Sequence, residues 1–132
     1  MSHRHRGDWE NITIFDSKVT ATHSNLLPNG KVVYFHARYY PITSYLYTPT
    51  TNSLERKSLA DLGWPGTNEP HAIFCAGQTF LKDGKLLVAG GERPRNIFGD
   101  FRGLKVAYIY NYLTETWSRA GSEISELHDK TQ

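Results

Sequence analysis

The chain of 132 residues has one cysteine, Cys75, in the segment FCAGQTFLKDGKLLVAGG. A cysteine can act as a nucleophile, a metal ligand or a redox group where a neighbouring base or cation lowers the pKa of its thiol. No residue pattern around Cys75 predicts such a base, and isolated cysteines commonly behave as small buried hydrophobic residues. We therefore predict a buried, inert thiol at Cys75, and a reactive thiol is the alternative.

The six histidines do not form a metal-ligand pattern. The sequence contains neither an HxxxH nor a CxxC motif, and no carboxylate stands at ligand spacing. The histidines are divided between two tails, two separate strands and a linker: His3, His5, His23, His36, His71 and His128. No nucleophile, phosphate-loop or dinucleotide motif appears either, so the residues predict no catalytic group, no metal site and no cofactor.

Composition limits the partners of the chain. The net charge of +2 is too small to favour a nucleic acid or an anionic membrane surface as a partner. A single cysteine excludes an intrachain disulfide, and no segment approaches the roughly 20 apolar residues of a membrane span. The start MSHRHRGDWE lacks the apolar region of an export signal, so the chain as written is expected in the cytoplasm.

The elements that would position any site are found from an internal repeat. The segment SNLLPNGKVVYFHA recurs 54 residues later as QTFLKDGKLLVAGG, so that Asn29 and Gly30 correspond to Asp83 and Gly84. Each copy has the pattern apolar strand, tight turn, apolar strand, and Asn-Gly and Asp-Gly favour two-residue type I′ hairpin loops. The sequence therefore predicts two hairpins in equivalent positions.

A second match extends the repeat. The segment YLYTPTTNSL corresponds to YIYNYLTETW 63 residues later, with Tyr45 on Tyr108 and Leu54 on Trp117. The larger offset places a nine-residue insertion within Glu92 to Lys105. Tyrosines two apart share one face of a strand, as in the pairs Tyr45, Tyr47 and Tyr108, Tyr110.

Each unit is thus predicted to be four consecutive antiparallel strands, and a repeat of about 50 residues is typical of kelch-like propeller blades. An antiparallel sandwich is the alternative. The predicted strands lie near residues 22–28, 31–37, 43–49, 53–58, 75–82, 85–91, 105–112 and 116–120. The predicted core residues are Leu27, Val33, Tyr47, Leu81, Leu87, Tyr110 and Trp117.

We predict five segments along the chain. Residues 1–19 are a tail with room for one strand, and residues 121–132 are a C-terminal tail. A degenerate blade covers 20–58, a linker covers 59–72, and a second blade covers 73–120. The second blade fits the kelch pattern better, because it has a diglycine at Gly90-Gly91 where the first has His36-Ala37.

The segment HAIFCAGQTFLKDGKLLVAGG resembles part of galactose oxidase and glyoxal oxidase-like proteins, in which a Phe-Cys-small-Gly stretch leads into a kelch diglycine blade. The resemblance is strongest over residues 71–118 and fainter over 20–56. It implies a partial β-propeller of two blades, resembling the N-terminal blades of those proteins. Some of them are copper-radical oxidases in which this cysteine is joined to a tyrosine of the following blade.

The resemblance implies two functions. Only Cys75 matches a functional residue of the family, namely the crosslinked cysteine, and the tyrosine and copper ligands would fall beyond Gln132. The isolated chain is therefore expected to be a noncatalytic module that acts in binding or assembly. The alternative is the N-terminal portion of a copper-radical oxidase, with copper as its cofactor, completed by further blades.

The expected partners follow from the same topology. A two-blade unit has open sheet edges and an uncovered blade face, which predicts further blades or self-association as partners. The long segments Ser58 to Ala72 and Glu92 to Lys105 are predicted to emerge at one end of the blades, where binding residues collect. A carbohydrate or protein ligand is expected there. The candidate ligand-binding residues are Trp64, Arg93, Arg95 and Phe98, although arginines in a long loop are also typical of a solvated surface.

Overall fold

The computed structural model describes residues 21–36, 43–59, 73, 75–94 and 101–120. In these residues the chain forms ten β-strands and no helix. The strands are β1 His23–Leu26, β2 Val32–His36, β3 Thr43–Thr48, β4 Ser53–Ser58, β5 Gly77–Phe80, β6 Leu86–Ala89, β7 Glu92–Pro94, β8 Phe101–Gly103, β9 Ala107–Asn111 and β10 Thr116–Arg119. In the described part of the chain, no helix is long and apolar enough to cross a membrane.

The strands form two four-stranded antiparallel sheets. Sheet 1 has the order β1-β2-β3-β4, and sheet 2 has the order β5-β6-β9-β10. The all-β class and the two four-stranded meanders predicted from the repeat are confirmed. The insertion from Glu92 to Lys105 is not simply a loop, because β7 and β8 pair within it as a short antiparallel ribbon.

The two repeat-equivalent hairpins have the same backbone geometry. In the first, the Leu27 amide donates to the Lys31 carbonyl and the Gly30 amide to the Leu27 carbonyl, at 2.8 and 2.9 Å. The same two bonds, at the same lengths, recur between Leu81 and Lys85 and between Gly84 and Leu81. The repeat therefore aligns the turns correctly at the atomic level.

The turn type differs from the predicted two-residue type I′ loop. Type I′ requires positive φ at both central residues. Of the turn residues, Gly30 and Gly84 have positive φ, at 81° and 82°, whereas Asn29 and Asp83 do not. This is the three-residue loop in which a type I turn is followed by a left-handed residue. Instead of filling a second left-handed position, Asn29 and Asp83 each accept a side-chain bond from the amide two residues on, at 3.2 Å.

These glycines give a matched pair for mutation. A methyl group at either position is strained by the left-handed backbone, at about 1–2 kcal/mol. At Gly84 it would also meet Pro28 Cγ at 2.9 Å and Tyr112 Cε1 at 3.0 Å, whereas at Gly30 nothing lies within 4 Å. We expect Gly84→Ala to lower the free energy of unfolding by about 1–3 kcal/mol more than Gly30→Ala does. Urea unfolding of both variants measures the difference, and equal losses would contradict the contact between the two hairpins.

The core lies between the two sheets. Fully buried side chains alternate along the central strands, which is the pattern of a sheet with one face against another layer. Sheet 1 contributes Asn25, Val33, Phe35, Ser44 and Leu46 to this layer, and sheet 2 contributes Leu86, Val88, Tyr108, Tyr110 and Trp117. We call these two sets of residues the inner faces and the contact between them the inner interface.

Three of the seven predicted core residues do not lie in the core. Leu27, Val33, Tyr110 and Trp117 are buried as predicted. Tyr47, Leu81 and Leu87 are only half-buried. The reason is visible in the strands, where two apolar residues stand side by side, so that either one can face the core. In β6, Leu86 takes the inner position and Leu87 the opposite one.

Candidate functional site

The predicted ligand-binding residues do not form a described site. Trp64, Arg95 and Phe98 lie outside the residues that the structure describes. Arg93 lies in β7, where its backbone pairs with Arg102 of β8. The structure does not describe the Arg93 side chain. The predicted site at this end of the sheets therefore stays a prediction.

Cys75 is not the buried residue expected from the sequence. Its side chain is exposed, and its φ of 60° places the backbone in the left-handed region. It lies in a turn closed by the Ala76 amide donating to the Ile73 carbonyl at 3.2 Å, two residues before β5. The thiol is therefore at the surface, because the chain turns before it enters the sheet, and β5 begins later than predicted.

The backbone amide of Cys75 donates to Nε2 of His23 at 3.3 Å, and the His23 ring stacks on Phe35 with centroids 5.0 Å apart. This contact ties the start of sheet 2 to the first strand of sheet 1. The described residues contain no group of three or more histidine, cysteine, aspartate or glutamate side chains that could hold a metal ion.

The inner interface is the best-defined cluster of interacting side chains. The Trp117 indole Nε1 donates to the Ser44 hydroxyl at 2.8 Å, and that hydroxyl donates to the Lys57 carbonyl at 3.0 Å. The Trp117 ring meets Phe35 edge-on, with centroids 6.1 Å apart, and Tyr110 at 5.1 Å. A buried tryptophan therefore contacts both sheets through its ring and through its only polar atom.

Polar pairs surround this apolar centre. The Asn25 side-chain amide donates to the Gln78 carbonyl oxygen at 3.1 Å and joins β1 to β5. At the turn between β9 and β10, Glu115 accepts a hydrogen bond from Lys31 and lies 3.5 Å from the Lys57 ammonium. Both lysines belong to sheet 1, so the carboxylate of sheet 2 is held between two cations of the other sheet.

Burial and charge shift the ionisable groups of this cluster. The hydrogen bond from Lys31 holds the pKa of Glu115 below its usual range, and the charge of Lys57 acts in the same direction. Removal from water raises the pKa of Tyr110, and the negative charges of Glu115 and Glu55 add to the effect. The Tyr110 hydroxyl is buried and makes no hydrogen bond to the described residues, so it is present in its neutral form.

The Glu115 contacts predict a pH-dependent stability. A carboxylate whose folded pKa lies below its unfolded value of about 4.3 stabilises the fold above that pH, and the contribution is lost as the pH falls through the folded pKa. We expect Glu115→Gln to lower the free energy of unfolding by about 0.2–1 kcal/mol at pH 7, with a difference that shrinks below about pH 4. Urea unfolding of the variant and the parent at several pH values measures this.

Glu55→Gln is the matched control for that experiment. Glu55 also pairs with Lys57, at 2.6 Å, but both residues lie in β4, and the Glu55 side chain is 61% exposed. Its loss therefore removes no bond between the sheets. A pH-independent effect of Glu115→Gln, or an equal effect of Glu55→Gln, would contradict the role of Glu115 in joining the sheets.

The opposite side of each sheet forms a second pair of surfaces, which we call the outer faces. On sheet 1 the outer face is carried by Val32, Tyr34, Tyr45, Tyr47 and Leu54, and on sheet 2 by Thr79, Leu87, Ala89, Ile109 and Asn111. Most of these side chains are half-buried. Tyr34 and Tyr45 stack with centroids 5.6 Å apart. The same faces also carry exposed polar residues, Ser24 and Arg56 on sheet 1 and Thr116 and Ser118 on sheet 2, so each outer face has an apolar centre with polar residues beside it.

Comparison of the two repeats shows which face each sheet buries. Val33 is fully buried on the inner face of sheet 1, whereas its equivalent Leu87 lies on the outer face of sheet 2. Leu86 is fully buried on the inner face of sheet 2, and its equivalent Val32 lies on the outer face of sheet 1. The sheets therefore bury opposite faces of the same repeat.

Sequence reasoning missed the polar residues of the inner interface. No pattern in the sequence singles out Ser44, Lys31 or Glu115. One signal was present, because a serine in a strand rich in tyrosine needs a hydrogen-bond partner if it is buried. Nothing in the local sequence identifies Trp117 as that partner.

Comparisons with protein-family models, with curated proteins and with solved structures find no match to the chain.

Proposed function

We propose that the chain is a noncatalytic module built from two kelch-like propeller blades, and that it acts in assembly. Its outer sheet faces are the binding surfaces, and further sheets of the same kind are what they bind. The observation that carries this proposal is the burial of opposite faces of the repeat in the two sheets, at Val33 and Leu86.

The burial of opposite faces favours a stack of several sheets over a sandwich of only two. In a two-fold symmetric sandwich, both sheets bury the same face, so equivalent residues of a repeat are buried together. Here one sheet buries the face that the other leaves outside. A rotation that repeats the step from sheet 1 to sheet 2 would place another inner-type face against each outer face, as in the stacked blades of a propeller.

The outer faces also suit this role energetically. Repeat arrays gain much of their stability from contacts between neighbouring units. Burial of apolar side chains such as Tyr34 and Ile109 against a neighbouring sheet contributes about 25 cal/mol for each Å² removed from water. Two sheets form one such contact, and Tyr34 and Ile109 on the outer faces are half-buried.

A tandem protein tests the proposal directly. Two copies of the chain joined by a flexible glycine and serine linker would place the outer face of sheet 2 in the first copy against the outer face of sheet 1 in the second. We expect the tandem to resist urea at a higher midpoint than the single chain, because one more pair of faces is covered.

Placing one substitution in either copy provides the control. Ile109→Asp in the first copy puts a charge at the new contact and should abolish the gain in stability. The same substitution in the second copy lies at the free end and should preserve the gain. A tandem no more stable than the single chain, or one in which both placements act alike, would exclude assembly through the outer faces.

The exposed position of Cys75 favours a second candidate, the N-terminal portion of a copper-radical oxidase. A surface thiol at the start of β5 is accessible to a tyrosine supplied by a further sheet. The tyrosines Tyr108 and Tyr110 cannot take that role within the chain, because β9 lies two strands from β5, which is about 10 Å.

For the chain alone we therefore expect an unmodified Cys75 and no oxidase activity. After incubation with Cu²⁺ and oxygen, intact mass and peptide mapping should show no loss of two hydrogens at Cys75. Peroxide release from primary alcohols and aldehydes should not exceed that of a Cys75→Ser variant. A crosslink between Cys75 and a tyrosine, together with peroxide release, would replace the noncatalytic proposal by the oxidase.

A further inference from the structure

We propose that the partner of the outer faces is a second copy of this chain, bound head to tail. The outer face of sheet 2 in one copy packs on the outer face of sheet 1 in the next, and the contact continues the inner interface from copy to copy. This inference rests on the proposed assembly function and adds the identity of the partner.

Several apolar residues of the two outer faces are the repeat equivalents of residues at the inner interface, whereas Phe35 and Val88 correspond to Ala89 and Tyr34. The outer face of sheet 2 carries Leu87 and Ile109, the equivalents of Val33 and Leu46 on the inner face of sheet 1. Likewise Tyr45 and Tyr47 on the outer face of sheet 1 are the equivalents of Tyr108 and Tyr110. An aliphatic face therefore meets a tyrosine-rich face in both contacts.

The hydrogen-bonded pairs across the inner interface also have matched counterparts. Asn25 bonds to Gln78 across the interface. The equivalents of these two residues are Thr79 and Ser24, which are again two polar residues.

At the buried centre, the bonded pair Trp117 and Ser44 is replaced by Leu54 and Ala107. Both members become apolar, so a contact at this position would leave no polar side chain without its partner, and Ala107 is already 1% exposed within the chain. This joint change is what a contact between the two outer faces requires.

The charged position shows the same correspondence. Lys31 bonds to Glu115 across the inner interface, and their equivalents are Lys85 on sheet 2 and Asn52 on sheet 1. Asn52 and Glu115 share the left-handed turn conformation, with φ of 52° and 56°. Within the chain the Asn52 amide oxygen accepts a hydrogen bond from the Tyr47 hydroxyl at 3.1 Å, and the Lys85 ammonium pairs with Asp83 at 2.8 Å. In the proposed contact Lys85 also approaches this amide oxygen, at the place where the inner interface has a carboxylate.

The surface beside Gly30 in the first hairpin also leaves room for a second copy. Within the chain, Pro28 of the first hairpin lies against Gly84 of the second. The equivalent contact between copies joins Lys82 to Gly30. Nothing lies within 4 Å of the Cβ position at Gly30, so that side of the turn is open for a neighbour.

Because the two contacting faces differ, the interface is heterologous, and such an interface forms a ring where the rotation between copies closes and an open filament where it does not. Each copy adds two sheets, and propellers of four to eight sheets are known to close. We therefore expect a closed assembly of two, three or four copies with a mass that is a whole multiple of 15.0 kDa. Sedimentation velocity of the full chain across a wide concentration range measures the mass.

Two single-face variants test the geometry. Tyr34→Asp places a charge on the outer face of sheet 1, and Ile109→Asp places one on the outer face of sheet 2. Each variant alone should sediment as a monomer. A mixture of the two should form a one-to-one dimer and no larger species, because each partner retains one unmodified face of the opposite kind.

Leu113→Asp is the matched control, since Leu113 is 74% exposed in the turn between β9 and β10 and lies on neither outer face. It should leave the assembly unchanged. Folding of each variant is checked by its urea midpoint, and Tyr34→Ser and Ile109→Ser replace any aspartate variant that does not fold.

Asn52→Glu should strengthen the contact. The new carboxylate would meet Lys85 of the neighbouring copy, as Glu115 meets Lys31, and we expect the dissociation constant to fall by roughly two- to fivefold at low salt. The double variant Asn52→Glu with Lys85→Glu should lose this gain, and added salt should reduce it.

The possible results separate the two proposals. A more stable tandem together with single chains that stay monomeric at every concentration would overturn the second copy as partner and leave assembly through the outer faces standing. A dimer that persists in both single-face variants would overturn the head-to-tail contact. At low concentration, Ile109→Asp should cost less stability than a core variant such as Val33→Asp. An equal loss would show that the chain itself covers this face, which also overturns the inference.

Discussion

Trp117→Ala is expected to lower the free energy of unfolding by about 3–5 kcal/mol, the range found when a large aromatic side chain is removed from a core. The side chain is 8% exposed and contacts Phe35 and Tyr110 with its ring. Its loss leaves a cavity between the sheets, and each sheet then loses contacts that it cannot recover alone. The shift in the urea midpoint, at constant slope, measures this loss.

Trp117→Phe separates the ring from its hydrogen bond. The smaller ring keeps part of the packing, but the Ser44 hydroxyl loses the donor that lies 2.8 Å away. We expect an intermediate loss, of which about 1–3 kcal/mol comes from the unsatisfied serine. Ser44→Ala combined with Trp117→Phe should cost less than the sum of the two single changes. A loss below about 0.5 kcal/mol for Trp117→Ala would contradict its position at the inner interface.

Val33→Asp is expected to destabilise the chain by about 4 kcal/mol or more, which is the size of effect that a buried unpaired charge produces. Val33 has no exposed surface and lies in β2 at the centre of the inner face. Its repeat equivalent, Leu87, is half-buried on the outer face of sheet 2. We expect Leu87→Asp to cost about 1 kcal/mol at a concentration low enough to prevent association.

The comparison is strict because the two positions have the same place in the repeat. Both follow the hairpin glycine by three residues and pair with a neighbouring strand on each side. The difference in stability therefore reports which face each sheet buries and not the strand position. Equal losses at Val33 and Leu87 would mean that both sheets bury the same face, which is the arrangement of a symmetric sandwich.

The sequence predicted the strands well because their boundaries are set locally. The residues Asn29-Gly30 and Asp83-Gly84 fix where each hairpin turns, and the bonds across the turn fix its register. The choice of buried face is not local. At Val32-Val33 and Leu86-Leu87 both alternating positions are apolar, so periodicity cannot decide between them.

The candidate site was harder to predict for the same physical reason. The contacts that define it join distant residues, such as Ser44 with Trp117 and Lys31 with Glu115. A pattern within one strand carries no information about a partner more than 70 residues away. The prediction that Cys75 is buried was wrong for a different reason. A left-handed turn that the sequence does not indicate places the residue on the surface.

The separation of Ser44 and Trp117 along the chain also has a consequence during synthesis on the ribosome. Sheet 1 is complete once Ser58 has been added, whereas the tryptophan that covers its inner face comes 59 residues later. At about 5–20 residues per second, the apolar inner face stays uncovered for roughly 3–12 s. Slow translation of this interval would lengthen exposure of the inner face to chaperones and to neighbouring nascent chains, and a contact made there would compete with the inner interface of the finished chain.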